Sequence, residues 1–270
     1  MSDNKYWLAL SDVPDIGPIT AKKLLALYKR PEKIFDAPHK ELAGIPGIGY
    51  KKAKGLKEYS DWEKVEANIR KLESKGIKAV RLIDKDYPEP LKNIEDAPIL
   101  FYMKGSFERE DRFSIAVVGS RKYSSYGKYA AEKLCSELSA LGFTIVSGMA
   151  RGIDTIAHIS AIKSGGRTIA VLGSGIDVPY PPENKGLMEN IAKSGCVISE
   201  FPLGAQPDRE NFPKRNRLIS GLSLGVLVVE AAADSGSLIT ASCALEQGKE
   251  VFAVPGNINS ANSKGTNDLI

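Results

Sequence analysis

The sequence predicts an α/β protein built on a mostly parallel sheet and preceded by a small all-helical domain. Two observations predict it. From residue 114 onward, short β-branched apolar runs alternate with helical patterns, which is how strands buried on both faces of a parallel sheet read. Residues 1–75 instead read as short helical segments punctuated by Pro/Gly turns. The domains expected are therefore 1–75 and 76–270.

In the first region a pattern recurs at an offset of 32 residues. Val13-Pro14-Asp15-Ile16-Gly17 precedes Ala21-Lys22-Lys23-Leu24, and Ile45-Pro46-Gly47-Ile48-Gly49 precedes Ala53-Lys54-Gly55-Leu56. Each half reads as a tight turn opening a lysine-bearing helix, with alanine on the closely packed face. The pair resembles the helix–hairpin–helix motif, whose glycine hairpin offers backbone N–H groups to a DNA phosphate. The first copy carries Asp15 where the second has Gly47, which weakens its fit to an anion. A protein-docking helical domain with solvated lysines is the competing reading. Trp62, Val65, Ile69 and Leu72 step by three and four residues and predict a helix over 60–75, ended by Gly76.

Runs at 77–83 and 98–103 read as strands around the Pro-rich connection Tyr87-Pro88-Glu89-Pro90. Further strands are expected at 114–118, 143–147, 168–172, 196–199, 225–230 and 250–254. Helices are expected near 126–141, 152–164, 183–194, 215–222 and 236–247. Right-handed crossovers between such strands put ligands beyond their carboxyl ends.

Three basic loops fall there: Gly119-Ser120-Arg121-Lys122, Ser147-Gly148-Met149-Ala150-Arg151-Gly152 and Phe212-Pro213-Lys214-Arg215-Asn216-Arg217. Small residues let a ligand approach the backbone, and helix N-termini offer unpaired N–H groups to an anion. Guanidinium forks added to several such loops suit a chain of phosphates. Tyr123, Tyr126, Tyr180 and Phe212 interleave with the cations, as a surface for single-stranded nucleic acid requires. If about four of the cations touch phosphate, the single-strand salt slope is roughly −3, or about 50-fold weaker binding between about 50 and 200 mM salt. The competing reading has these arginines capping carbonyls and pairing with Asp208, Glu210 or Asp154. A fourth loop, with Ser235, Gly236 and Ser237 before a helix, can donate to phosphate or simply cap the helix.

Composition narrows the alternatives. The 270 residues carry a net charge of +4 and are 43% apolar and 26% charged, an ordinary soluble balance that is compatible with nucleic acid. Cys135, Cys196 and Cys243 show no paired spacing and only His39 and His158 are present, so neither a metal nor another cofactor is expected. No basic-then-apolar leader and no membrane-length apolar run is visible, so a cytoplasmic protein is expected. Neither GxGxxG nor a Walker loop occurs. His158 follows Asp154 by four residues, but among Ile153, Ile156 and Ile159 it reads as a packed side chain.

Taken in order, Gly119-Ser120-Arg121, Ser147 to Asp154 with Ala157-His158, Ile169 to Gly173, Asp177 with Tyr180-Pro181, Ser199-Glu200, Phe212 to Arg217, Ser235 to Ala241, Val254-Pro255-Gly256 and Gly265-Thr266-Asn267 closely resemble the DNA-processing protein A family (DprA, also called Smf). The resemblance covers about 114–270 and, more loosely, the whole chain. It implies an extended Rossmann-like fold after the helix–hairpin–helix domain, and a non-enzymatic protein that binds single-stranded DNA. It also implies protection of incoming DNA, loading of the RecA recombinase during natural transformation and recombination, and a homodimer through the Rossmann domain, with no membrane association. Carried over by position, Arg121, Arg151, Lys214, Arg215 and Arg217 match the family's positive pocket, and Ser120, Ser147, Gly148 and Gly152 its backbone donors. Lys122, Asn216, Ser235, Gly236 and Ser237 complete the expected DNA-binding set. Many members carry a C-terminal winged-helix domain beyond the motif that ends this sequence at Ile270. The enzyme-class alternative is a ribosyl-monophosphate hydrolase of the lysine-decarboxylase-like Rossmann group. That group uses a PGGxGTxxE pattern, and residues 232–240 lack its glutamate.

Overall fold

The computed structural model of the chain describes residues 2–270. They divide into two compact units. One holds the described residues up to Tyr87 together with Glu95–Tyr102, and the other Pro88–Ile94 with Met103–Ile270. The first unit thus runs past residue 75 and takes in the strand at 78–81.

In the first unit, helices α1 (Ser2–Asp12), α2 (Pro18–Tyr28), α3 (Pro31–Asp36), α4 (His39–Ala43), α5 (Gly49–Lys57) and α6 (Trp62–Ser74) precede strand β1 (Lys78–Arg81). Trp7, Leu10, Leu24, Ile34, Leu42 and Leu56 are fully buried among them. Trp62 packs edge-on against Phe35 and Tyr59, both at 5.2 Å between centroids. The two hairpins agree at one position, where Asp15 (φ 65°) takes the left-handed conformation that Gly47 (φ 85°) has in the second copy, and part at the next glycine, which is left-handed at Gly49 (φ 65°) and extended at Gly17 (φ −78°). Asp15 is drawn to Lys51 of the second copy at 2.6 Å, while Lys23 and Lys52 donate to the carbonyls of Pro46 and Gly47.

Helix α7 (Glu89–Lys92) forms where the sequence reading has only a Pro-rich connection, with Pro90 tolerated in its first turn. Strand β2 (Leu100–Gly105) follows. The second unit then alternates β3 (Ser114–Val118), α8 (Ser125–Ala140), β4 (Thr144–Ser147), α9 (Ile153–Lys163), β5 (Thr168–Val171), α10 (Lys185–Ser194), β6 (Cys196–Ser199), α11 (Asn211–Leu222), β7 (Gly225–Val228), α12 (Ser237–Glu246), β8 (Glu250–Ala253) and α13 (Lys264–Leu269). Residues of β4, β5, β6 and β7 are buried throughout, which is why they read as unbroken apolar runs. β8 alternates exposed and half-buried residues.

These strands lie in the order β6-β5-β4-β3-β7-β8, each neighbouring pair parallel. The chain steps outward from β3 to β6, then crosses back to place β7 on the other side of β3. Right-handed connections put α8, α9 and α10 on one face and carry α11 and α12 to the other. The first face is filled by Ala130, Ala131 and Cys135 of α8 and by Ile153, Ile156, Ala157 and Ala161 of α9, against Val117, Leu227 and Val229. The direction of the strand order reverses between β3 and β7. The loops leaving the carboxyl ends of those two strands therefore diverge and leave a crevice.

Candidate nucleic-acid interface

The crevice is built around a carboxylate the sequence reading did not single out. Glu230, just beyond β7, is 3% exposed. Its backbone oxygen accepts from Ser120 N (2.7 Å), and its side chain accepts from Ser124 N (3.1 Å) and Ser124 Oγ (2.5 Å). Ser124 in turn caps α8 by accepting from Gly127 N at 3.0 Å. A Cβ on Gly127 would lie 2.1 Å from Glu230 Oε2, so glycine alone admits the carboxylate there. The loop 119–124 is thus tied at both ends to the neighbouring strand, with Arg121 and Lys122 projecting as exposed side chains. Its one sequence signal was a charged residue closing an otherwise apolar strand.

A cleft of about 890 Å³ opens over this loop. Of the expected binding residues, it brings together Ser120, Arg121, Lys122, Arg215, Asn216, Ser235, Gly236 and Ser237. Asp154, Tyr180, Arg209, Phe212, Asp234 and Thr240 also line it, and among these Arg209 was not anticipated.

The other six expected residues lie outside this lining, for separate reasons. The Ser147 hydroxyl is buried and donates to Val117 O at 2.6 Å. A Cβ on Gly148 would lie 2.7 Å from both Arg215 Nη2 and Asp154 Oδ2, and one on Gly152 (φ 84°) 2.2 Å from Ser120 O. Both glycines therefore serve close packing of protein against protein. Arg151 pairs with Glu183 at 2.6 Å and Lys214 with Glu210 at 3.6 Å. Arg217 pairs with Glu200 at 2.6 Å. Of the partners weighed from sequence, Glu210 is used, while Glu183 and Glu200 were missed.

The third basic loop is not a loop. α11 starts at Asn211, so Phe212 to Arg217 form its first turns rather than preceding it. Pro213 is accommodated there, because the first turn has no intrahelical use for its missing N–H. The helix turns Arg215 inward, where it is 4% exposed. Its Nη1 donates to Gly148 O at 2.7 Å and to Val171 O, and Nε to Asn216 Oδ1 at 3.2 Å. Arg215 thus spends donors on protein carbonyls at the cleft floor.

Around it lies a buried ionisable cluster. Burial pushes the Asp154 carboxyl up to about 6, against the opposing pull of Arg215, of the Ala150 N–H (3.3 Å) and of Arg121. Burial, with Asp154 opposing, brings Arg215 down to about 10. His158 is fully buried; burial first, then Arg215, depress its pKa to about 3, so the ring is neutral. Thr168 Oγ1 gives its hydrogen to Ile145 O (2.7 Å) and so accepts from His158 Nδ1–H (2.7 Å). His158 is a packed side chain, as its apolar neighbours implied.

Phe212 closes one wall. Its ring lies 5.5 Å from the Arg121 guanidinium, 5.9 Å from that of Arg215 and 5.6 Å from the Tyr180 ring. Gly173 leaves room for it, since a Cβ there would approach Phe212 Cδ1 to 2.6 Å. On the opposite wall Ser235 Oγ and Ser237 Oγ share a hydrogen at 2.8 Å, and Ser237 N donates to Ser235 Oγ at 3.4 Å. Among the described residues no group of three or more His, Cys, Asp or Glu could hold a metal, and no helix is long and apolar enough to cross a membrane.

A doubly wound sheet whose switch-point cleft is lined by exposed cations, hydroxyls and an aromatic wall defines a Rossmann-type protein. Residues 78–270 match the model of DNA recombination-mediator protein A, and residues 8–59 that of a SAM-like helix–hairpin–helix tandem. The chain belongs to the DNA recombination-mediator protein A family. It is 38% identical over 273 residues to Protein Smf of Synechocystis, covering all of this chain and 69% of that one. It is 47% identical over 189 residues to DNA processing protein DprA of Streptococcus pneumoniae, covering 70% of this chain and 67% of that one. Against Protein Smf of Escherichia coli the identity is 44% over 207 residues, 76% of this chain and only 55% of the relative. The chain thus spans little more than half of some relatives' length. The X-ray structure of the S. pneumoniae protein superposes with a TM-score of 0.83 at 36% identity, covering 100% of this chain and 92% of that one. A Helicobacter pylori DNA processing protein A, described in terms of its single-stranded DNA binding mode, superposes at 0.64 with 30% identity over 72% of this chain and 86% of that one.

Proposed function

We propose that the protein binds single-stranded DNA in the switch-point cleft and acts as a recombination mediator, by binding rather than by bond-making chemistry. One observation carries the reading: Arg121, Lys122 and Arg209 project as exposed cations into a cleft also lined by serine hydroxyls and by Phe212 and Tyr180. Cations track a phosphate chain, and aromatic walls take bases of any identity. Membership of the recombination-mediator family and the single-strand binding of the H. pylori relative support it. In this reading the bound strand is protected and passed to the RecA recombinase during transformation or recombination, and the protein works as a homodimer through its Rossmann unit. With Arg215 spent on carbonyls, about three cations remain for phosphate. The salt slope is then about −2, roughly 20-fold weaker binding between about 50 and 200 mM salt.

The test is fluorescence anisotropy with labelled dT oligomers and a matched duplex across that salt range. Tight, salt-sensitive preference for the single strand is expected, followed by stimulation of RecA filament assembly on the same oligomer. Binding to neither nucleic acid overturns the reading.

A further inference from the structure

Three tyrosines within seven residues, Tyr123, Tyr126 and Tyr129, are 44, 52 and 60% exposed where α8 leaves the cleft. The side of the same helix turned away from Tyr126 buries Ala131 and Cys135 in the core, so the rings are not needed there. Tyr126, Tyr129 and Lys133 follow at steps of three and four, which stacks them along one face with about 5–6 Å between successive Cβ atoms. Helical Cβ atoms tilt toward the N-terminus. Here that is the cleft end, because Lys122, three residues before the first helical position, lines the cleft itself. Lys122, Lys128 and Lys133 are all exposed among the rings. The Tyr126 hydroxyl donates to Pro255 O at 3.1 Å, which holds that ring in place.

We propose that the first turns of α8 form a stacking track, on which a single strand leaving the cleft lays further bases against Tyr126 and Tyr129 while Lys122 and Lys133 meet its phosphates. The proposal rests on the reading of the cleft as a single-strand site and extends its footprint. A protein partner is the less suitable occupant, because lysines are depleted at the cores of protein interfaces and here they interleave with the rings. Alternation of cation and flat aromatic ring is what a base-indifferent strand requires.

The test compares a short dT oligomer of about 5 nucleotides, confined to the cleft, with one of about 15 nucleotides that reaches the track. The wild type is expected to bind the longer one more tightly. Tyr126→Ala and Tyr129→Ala are each expected to weaken the longer oligomer about tenfold or more while leaving the short one unchanged. Tyr126→Phe, which loses only the hydroxyl, should retain wild-type affinity and so separates stacking from the bond to Pro255. If the short oligomer binds but the alanine variants hold the longer one as wild type does, the track is wrong and the cleft stands. A change in self-association without a change in DNA affinity makes the patch a protein interface and overturns the proposal. Binding of neither oligomer by the wild type overturns track and cleft together.

Discussion

Arg217 and Glu200 form a half-buried ion pair in which one guanidinium nitrogen, Nη2, lies 2.7 Å from Oε1 and 2.6 Å from Oε2, with 13 and 19% of the two side chains exposed. Sequence position alone put Arg217 with the phosphate ligands. Its pairing instead links the first turns of α11 to the residue that follows β6. Arg217→Ala leaves the Glu200 carboxylate without this partner in a poorly solvated place. The expected loss is about 1–3 kcal/mol of stability, read as a lowered urea midpoint. Affinity for dT oligomers in native buffer should stay within about twofold, and a large loss in affinity with unchanged stability would return Arg217 to the binding surface.

Arg121 stands at the other extreme, exposed and set over the Phe212 ring. Arg121→Ala is expected to weaken single-strand binding by about tenfold and to reduce the salt slope by about 0.7, one phosphate contact's share. The denaturation midpoint should not move. A slope identical to wild type would mean that Arg121 does not touch phosphate.

Asp154 and His158 make opposing contributions to stability below neutrality. The folded Asp154 holds its proton up to about pH 6, whereas the unfolded carboxyl loses it near 3.8. Between those values the folded state binds more protons, so this group alone makes stability fall as pH rises. The folded His158 resists protonation down to about pH 3, whereas the unfolded ring takes a proton near 6.5. That group alone makes stability fall as pH drops through this window. Over pH 4–6 the two slopes offset one another. Asp154→Asn, which keeps an oxygen for the Ala150 N–H, removes the first slope. Its stability should then decline on acidification below pH 6.5 more steeply than wild type, by up to about 1.4 kcal/mol per pH unit. Urea denaturation at several pH values checks this, and parallel wild-type and variant curves would contradict it.

Gly127 is the position where a single methyl group should undo the loop. A Cβ at 2.1 Å from Glu230 Oε2 forces the carboxylate away from Ser124. Gly127→Ala is expected to cost about 1–3 kcal/mol and to weaken DNA binding by freeing residues 119–124. Ser124→Ala removes both the cap and the hydroxyl's bond to Glu230, leaving the Ser124 N–H on the carboxylate, and should cost about 1–3 kcal/mol without the steric displacement. Hydrogen exchange of the Ser120 amide, which donates to Glu230 O, reads the loop directly.

Much of the second unit could be read from sequence because its strands are buried on both faces. Burial there demands unbroken apolar runs such as Ile-Ala-Val-Val at 115–118, and such runs leave little choice of element. The repeated hairpin was legible for a related reason: Gly47 marks a left-handed turn, and Asp15 is a residue type that tolerates the same backbone. The family motifs likewise mark the cleft's loops in order along the chain. What the sequence by itself determined was therefore the element succession and the loops that carry cations. Arg121, Arg215 and Arg217 look alike in one dimension, each a guanidinium in a Gly-, Pro- or Asn-bearing segment. Only the tertiary structure separates them, because strand order places β7 beside β3 and opens the cleft over Arg121, while the inward turn of α11 seats Arg215 on carbonyls and Arg217 on Glu200. Whether a cation meets solvent or protein depends on where carbonyls and carboxylates from distant segments converge, and that convergence is a property of the assembled sheet.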